Sequence, residues 1–264
     1  MESFEEATRL EIKVDPKAFK KQALWCGVKP GLRVMDAGFG SGKTASILHK
    51  MIQPGGYILG VDSSEERTAS AAREYGNKKG LEFIVHDLRE PLEGIEGFDL
   101  IWVRFFLEYH RVEGLDIIKN LTECLKPGGW LCLLDLDHNC LNHYEMPVKM
   151  ENVLKEIMTT LEQKYNFDPY VGRKLYSFLY DLGFENIEVD LSAHHLIYGE
   201  VQEKDAFNWL KKEEMISKKT KTLFKKYPGG YKGFHQDFAE YFYNPRRFIY
   251  TPMILCKGRK PISD

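Results

Sequence analysis

Five short apolar runs, at residues 32–36, 57–61, 81–85, 98–103 and 130–136, alternate with segments that carry helical patterning at 16–26, 44–51, 65–75 and 112–125. Runs of this length are strands rather than buried helices. They are apolar on both faces, so both faces need cover, and the helices between them supply it. This rhythm predicts an open, doubly wound α/β sheet of parallel strands. Such sheets bind ligands at the carboxyl ends of their strands. Asp36, Asp62, Asp87 and Arg104 all stand at or just past predicted strand ends, so four polar groups should converge on one crevice.

After residue 137 the rhythm breaks. Residues 145–165 and 171–182 are predicted helical, 186–198 alternates like a strand, 203–227 is helical and rich in Lys, and 248–256 is a last strand. The two late strands are expected to pair antiparallel at the sheet edge. This gives one domain over residues 1–264. Its core covers about 16–137, 170–198 and 246–260, with cap insertions at about 138–168 and 199–245. An apolar fraction of 43% suffices for that core. No apolar run reaches the roughly 18 residues that a membrane span needs. The N-terminus, Met1-Glu2-Ser3-Phe4-Glu5-Glu6, is acidic and lacks the build of a signal peptide. Five cysteines without a C-x-x-C pair suit reduced thiols in a cytoplasmic protein and no metal site. A net charge of −2 recruits neither nucleic acid nor anionic membrane. The oligomeric state is left open.

The loop Asp36-Ala37-Gly38-Phe39-Gly40-Ser41-Gly42-Lys43-Thr44-Ala45 can be read three ways. Ala37 to Thr44 is one residue from a phosphate-binding P-loop. Gly40, Gly42 and Ala45 satisfy a dinucleotide fingerprint. Asp36, Gly38, Gly40 and Gly42 give D-x-G-x-G-x-G, which resembles the loop of class I S-adenosylmethionine (SAM) methyltransferases. Glycines let the backbone approach a ligand in all three, so they decide little. Asp36 decides more. A carboxylate about 4 Å from a phosphate charge costs on the order of 4 kcal/mol at an effective dielectric of about 20. The same carboxylate attracts the ammonium and sulfonium of SAM. Asp62, about 20 residues beyond, can accept from both ribose hydroxyls of SAM or NAD. Each acid also has a plain structural use: Asp36 can cap the helix at Thr44, and Asp62-Ser63-Ser64-Glu65 resembles a helix start.

Five segments in register extend the resemblance over roughly residues 30–137. Val34 to Gly42 looks like the first motif of class I SAM methyltransferases, and Gly60-Val61-Asp62 like their ribose-binding acid. Val85-His86-Asp87-Leu88 looks like their adenine-edge motif, Phe98 to Arg104 like the fourth strand, and Leu125 to Trp130 like the turn before the fifth. The variety is similar to the ubiquinone/menaquinone-biosynthesis type. The resemblance implies a Rossmann-like, seven-stranded sheet with an antiparallel last strand and helical caps. It implies SAM as cofactor, held by Asp36, Gly38, Gly40, Gly42, Asp62, Ser63, Asp87, Leu88 and Arg104. Phe39 and Ser41 depart from the family's usual Cys and Thr, away from the glycines. Arg104 is unusual at its position and suits cofactor cover, an anionic substrate or a structural ion pair.

Methyl transfer from a sulfonium is an in-line displacement, and alignment alone lowers its barrier by roughly 7–11 kcal/mol. The substrate-side candidates are Glu108, Tyr109 and His110 after the fourth strand, and His138 and His143 after the fifth. None is assigned as a base. Motifs of amino-directed nucleic-acid, cytosine-C5 and protein-arginine enzymes are absent, so the expected substrate is a small, partly apolar or aromatic metabolite. The lysines at 211–226 are interrupted by Glu213 and Glu214 and read as a solvated helix face. Aromatics from Tyr227 to Tyr250 suit either cap core or a substrate pocket. An NAD(P)-dependent oxidoreductase and a non-catalytic SAM-binding protein are the rival readings.

Overall fold

The computed structural model describes residues 15–262, so the acidic N-terminus lies outside the described residues. Helix α1 (Pro16–Trp25) starts where Asp15 accepts the Lys17 amide and Pro16 takes the first turn. Strand β1 (Arg33–Ala37) leads through the glycine loop into α2 (Lys43–Met51). Then follow β2 (Tyr57–Asp62), α3 (Glu65–Tyr75), β3 (Leu81–Val85), β4 (Phe98–Arg104), α4 (Gly114–Cys124) and β5 (Leu125–Leu136). The first five strands are parallel, in the spatial order β3-β2-β1-β4-β5. This is the doubly wound sheet that the alternation predicted.

The second half comprises β6 (His143–Tyr144), α5 (Val148–Lys164), α6 (Leu175–Asp181), β7 (Glu185–Ile197), α7 (Glu203–Lys219), α8 (Gly230–Tyr243) and β8 (Phe248–Arg259). Strands β7 and β8 pair antiparallel, as expected. The sheet has eight strands rather than seven, because the two-residue β6 adds to the start of β8. The antiparallel pair lies at the sheet edge, as expected. One side of β8 pairs with β5 and the other with β7, so β7 is the edge strand. The predicted helix at 203–227 breaks at Thr220 into α7 and a 3-10 turn, Lys221–Lys226.

Side chains alternate between two cores. Val34, Ile58, Leu100 and Trp102 pack against Phe19 and Ala23 of α1 and Leu48 of α2. Met35, Ala37, Ile101 and Val103 pack against Ile117 and Leu121 of α4 and Leu175 of α6. A third core joins α5, α7 and α8 through Met158, Trp209, Phe234 and Phe242. The five cysteines are free and buried. No helix among the described residues is long and apolar enough to cross a membrane.

Candidate active site

Strand parity places the first two charged groups. Asp36 lies beside Trp102 in the β1–β4 register, and Arg104 stands two residues further on the same face as Trp102. Both therefore emerge on the α1–α2 side, at the carboxyl ends of adjacent strands. The chain then turns back through Gly38, Gly40 and Gly42, all left-handed at φ 75°, 60° and 81°. That conformation strains any residue with a Cβ. A Cβ on Gly38 would lie 2.3 Å from the Phe106 ring. A cavity of about 340 Å³ results, within the range of small-molecule sites. Asp36, Gly38, Gly40, Asp62, Ser63, Arg104, Glu108, Tyr109 and His110 all line it.

The electrostatics are those of a buried site. Asp36 is 2% exposed, and its carboxylate accepts a hydrogen bond from the Thr44 hydroxyl at 2.8 Å. Burial lifts its carboxyl from 3.8 to about 7, against the Thr44 hydrogen bond and the Arg104 charge, which pull it down. Arg104 is also desolvated, and burial lowers it to about 10 although Asp36 and Asp135 favour its charge. Its Nε donates to Gln22 Oε1 at 3.2 Å, and its guanidinium lies 4.0 Å over the Phe105 ring. Neither Asp36 nor Arg104 forms an ion pair among the described residues. Asp62 accepts the amides of Gly40 at 3.1 Å and Ser64 at 3.0 Å, and meets Arg67 at 3.4 Å. It thus ties the glycine loop to the start of α3, where Ser64 is the N-cap. Glu108 is 2% exposed and bound by the Asn139 side chain at 2.8 Å. Behind it, burial and the Glu108 charge raise Asp135 well above the carboxylate range.

Five sequence candidates are not among the residues lining this cavity. Gly42 faces away: its Cβ would lie 2.7 Å from Ala71 of α3, so it serves close packing behind the loop. Asp87 is forked by Arg89, whose hydrogen bonds hold its carboxyl down at about 2. Leu88 is buried in the core. His138, at φ 49°, turns its ring onto Tyr170. His143 sits in the cap core against Trp209 and Tyr241, where burial lowers it to about 4. The cap encloses His143, and strand-end position could not show it. Conversely, the sequence reading gave no site role to Thr44, Arg67, Phe105 or Phe106, all of which line the cavity. Arg67 had a signal, because it lies one helical turn past Ser64 and so reaches back over the strand end.

The arrangement offers a desolvated carboxyl, a hydrogen-bonding loop and a strand-end acid, and no phosphate cradle free of negative charge. A ligand with a cationic end fits it, since a cation beside Asp36 would offset the cost of ionising that buried group. Bound SAM supplies an electrophilic methyl on a sulfonium.

Comparison with known proteins agrees with this geometry. Residues 34–129 match the methyltransferase domain family. The chain is 27% identical over 191 residues to the chloroplastic 2-phytyl-1,4-beta-naphthoquinone methyltransferase of Arabidopsis thaliana, covering 66% of this chain and 70% of that protein. A Bacillus halodurans protein of proposed methyltransferase function shares the fold at TM-score 0.60 and 16% identity, over 93% of this chain and 99% of that one. Phosphoethanolamine N-methyltransferase 2 of Haemonchus contortus, solved with phosphomonomethylethanolamine and S-adenosylhomocysteine, aligns at TM-score 0.57 and 18% identity, over 93% of this chain and 52% of that one. The domain match falls on the loop and strand ends that build the cavity, so residues 34–129 carry the features of a SAM-dependent methyltransferase domain, and the chain is similar to enzymes that methylate quinones.

Proposed function

We propose that the protein transfers a methyl group from SAM to a small, partly apolar or aromatic metabolite, and that residues 1–264 act as one catalytic unit of sheet core and cap. The observation that carries this reading is the buried Asp36 at the base of the glycine-loop cavity, desolvated and without an ion-pair partner among the described residues. Asp36 faces the cationic methionine end, and the backbone of Gly38 and Gly40 follows it. Asp62 and Ser63 take the ribose. Asp87 and Leu88 border the adenine, once Arg89 yields part of its hold on the Asp87 carboxylate. Arg104 screens Asp36 from below, and Gly42 supports the loop from behind. The likeness to a naphthoquinone methyltransferase supports an apolar, aromatic acceptor. Alignment of acceptor and methyl, with water excluded by the cap, is what the chain contributes to the reaction.

Isothermal calorimetry with SAM and S-adenosylhomocysteine tests the cofactor assignment. Binding is expected with both, and a concentration of 100 times Kd should raise stability by about 2.7 kcal/mol. No heat with either sinks the proposal. Release of S-adenosylhomocysteine in a panel of quinols, phenols and aromatic acids then tests the acceptor class.

A further inference from the structure

Beside the cofactor cavity lies a second one, of about 110 Å³, between α5 and α7. Tyr109 lines both. On α7 the residues facing it are Lys212, Met215, Ile216 and Lys219. Their spacing of i, i+3, i+4 and i+7 is one helix face. Met158 and Leu161 of α5 oppose them, one turn apart. The body of the cavity is thus apolar.

Its charge is one-sided. Lys212 and Lys219 line it, and no carboxylate does. The two acids between Lys212 and Lys219 on α7 are paired elsewhere: Glu214 with Lys211 and Lys218, and Glu213 with His235. Neither Lys212 nor Lys219 enters an ion pair among the described residues. Lys212 Nζ instead donates to Asn139 Oδ1 at 3.2 Å, while the Asn139 amide donates to Glu108 Oε2 at 2.8 Å. Lys219 lies 4.9 Å over the Tyr165 ring at the rim. An ammonium held by a neutral amide in apolar surroundings attracts an anion more strongly than one in water. The Glu108–Asn139–Lys212 chain also joins the two cavities, since Glu108 lines the first and Lys212 the second.

Resting on the proposed methyl transfer, we infer that this second cavity is the acceptor compartment, and that its ligand is an apolar molecule carrying one anionic group, held by Lys212 with Lys219 at the mouth. The apolar body lies between α5 and α7. The end nearest Tyr109 faces the cofactor cavity.

Calorimetric titration with 2-naphthoate and with 2-naphthalenemethanol, which share a body and differ in charge, tests this. Each titration is run with and without S-adenosylhomocysteine. The naphthoate is expected to bind at least about tenfold more tightly, as one charge-assisted hydrogen bond would give. Lys212→Met should remove that preference and leave the alcohol's affinity unchanged, and Lys212→Arg should keep it. Equal binding of the two probes, binding of neither, or a preference that survives Lys212→Met overturns the inference. The heat of S-adenosylhomocysteine binding reports the cofactor assignment separately. It also shows that each variant is folded.

Discussion

Replacing Asp36 by Asn should make the ligand-free protein more stable and the enzyme worse. Burial lifts the native Asp36 carboxyl from 3.8 to about 7. Below pH 3.8 the group is protonated in both native and unfolded chains and contributes no pH dependence. Between 3.8 and about 7 the unfolded chain has released its proton while the native chain holds it. The unfolded state then binds fewer protons, so stability falls as pH rises. Above about 7 the native state carries a fixed penalty of about 4 kcal/mol, at 1.36 kcal/mol for each pKa unit. Asn keeps the shape and can still accept from the Thr44 hydroxyl, but it never ionises. Asp36→Asn should therefore match the wild type near pH 4 and exceed it progressively, by up to about 4 kcal/mol at pH 8. Urea denaturation from pH 4 to 8, with the midpoint and slope fitted at each pH, measures this. Saturating SAM should narrow the gap at pH 8, because the wild type then gains a cation beside its carboxylate and the variant does not. A stability difference that stays flat with pH, or a wild type more stable at pH 8 without ligand, would refute the claim that Asp36 is a strained buried acid.

Asp62→Ala removes the acceptor for the Gly40 and Ser64 amides, and SAM affinity should drop at least about tenfold by calorimetry; an unchanged Kd would place the ribose elsewhere. Gly42→Ala puts a Cβ 2.7 Å from Ala71 at φ 81°, so the midpoint of denaturation should fall by the equivalent of about 2 kcal/mol. The S-adenosylhomocysteine affinity of the folded variant should stay within about twofold, since Gly42 does not line the cavity. Arg89→Met frees the Asp87 carboxylate from its fork. If Asp87 borders the adenine, adenosine-containing ligands should bind that variant more tightly, and weaker binding would contradict the assignment.

The sheet was legible because its code is local. Each parallel strand is a short apolar run, and each connection carries its own turn residues, so β1 to β4 and the helices between them sit within a residue or two of the expected bounds, whereas β5 starts at Leu125, five residues before the expected 130, because the stretch 126–129 read as a turn is extended. The cap was less so. Residues Phe234, Phe238, Tyr241 and Phe242 are spaced as one helical stripe, and their burial makes α8 the centre of the third core. Read as a dense run of aromatics, that stripe concealed its own period. The position of β8 inside the sheet was illegible for a different reason: whether a late strand takes an edge or an inner place depends on which partner satisfies each of its sides, and alternation in one strand does not encode that.

The site divides along the same line. Strand-end position found Asp36, Asp62 and Arg104 because parallel strands in register end on one side of the sheet. It could not find what neutralises them. Asp36 and Arg104 lie on one face, each desolvated, and Asp135 and Glu108 form a second buried acidic pair one strand away. Such groups cost stability in the free protein, and in the proposed reading they serve a ligand that completes the charge balance. The same logic separates the candidates that stayed near the cavity from those that did not. Asp87 has its cation already, in Arg89, and His143 has lost its charge to burial, so neither is left seeking a partner. Asp36 has a hydroxyl and no cation of its own within ion-pair reach among the described residues. In the proposed reading, a glycine loop shared by three ligand classes acquires its preference from one carboxyl group that the fold buries without completing.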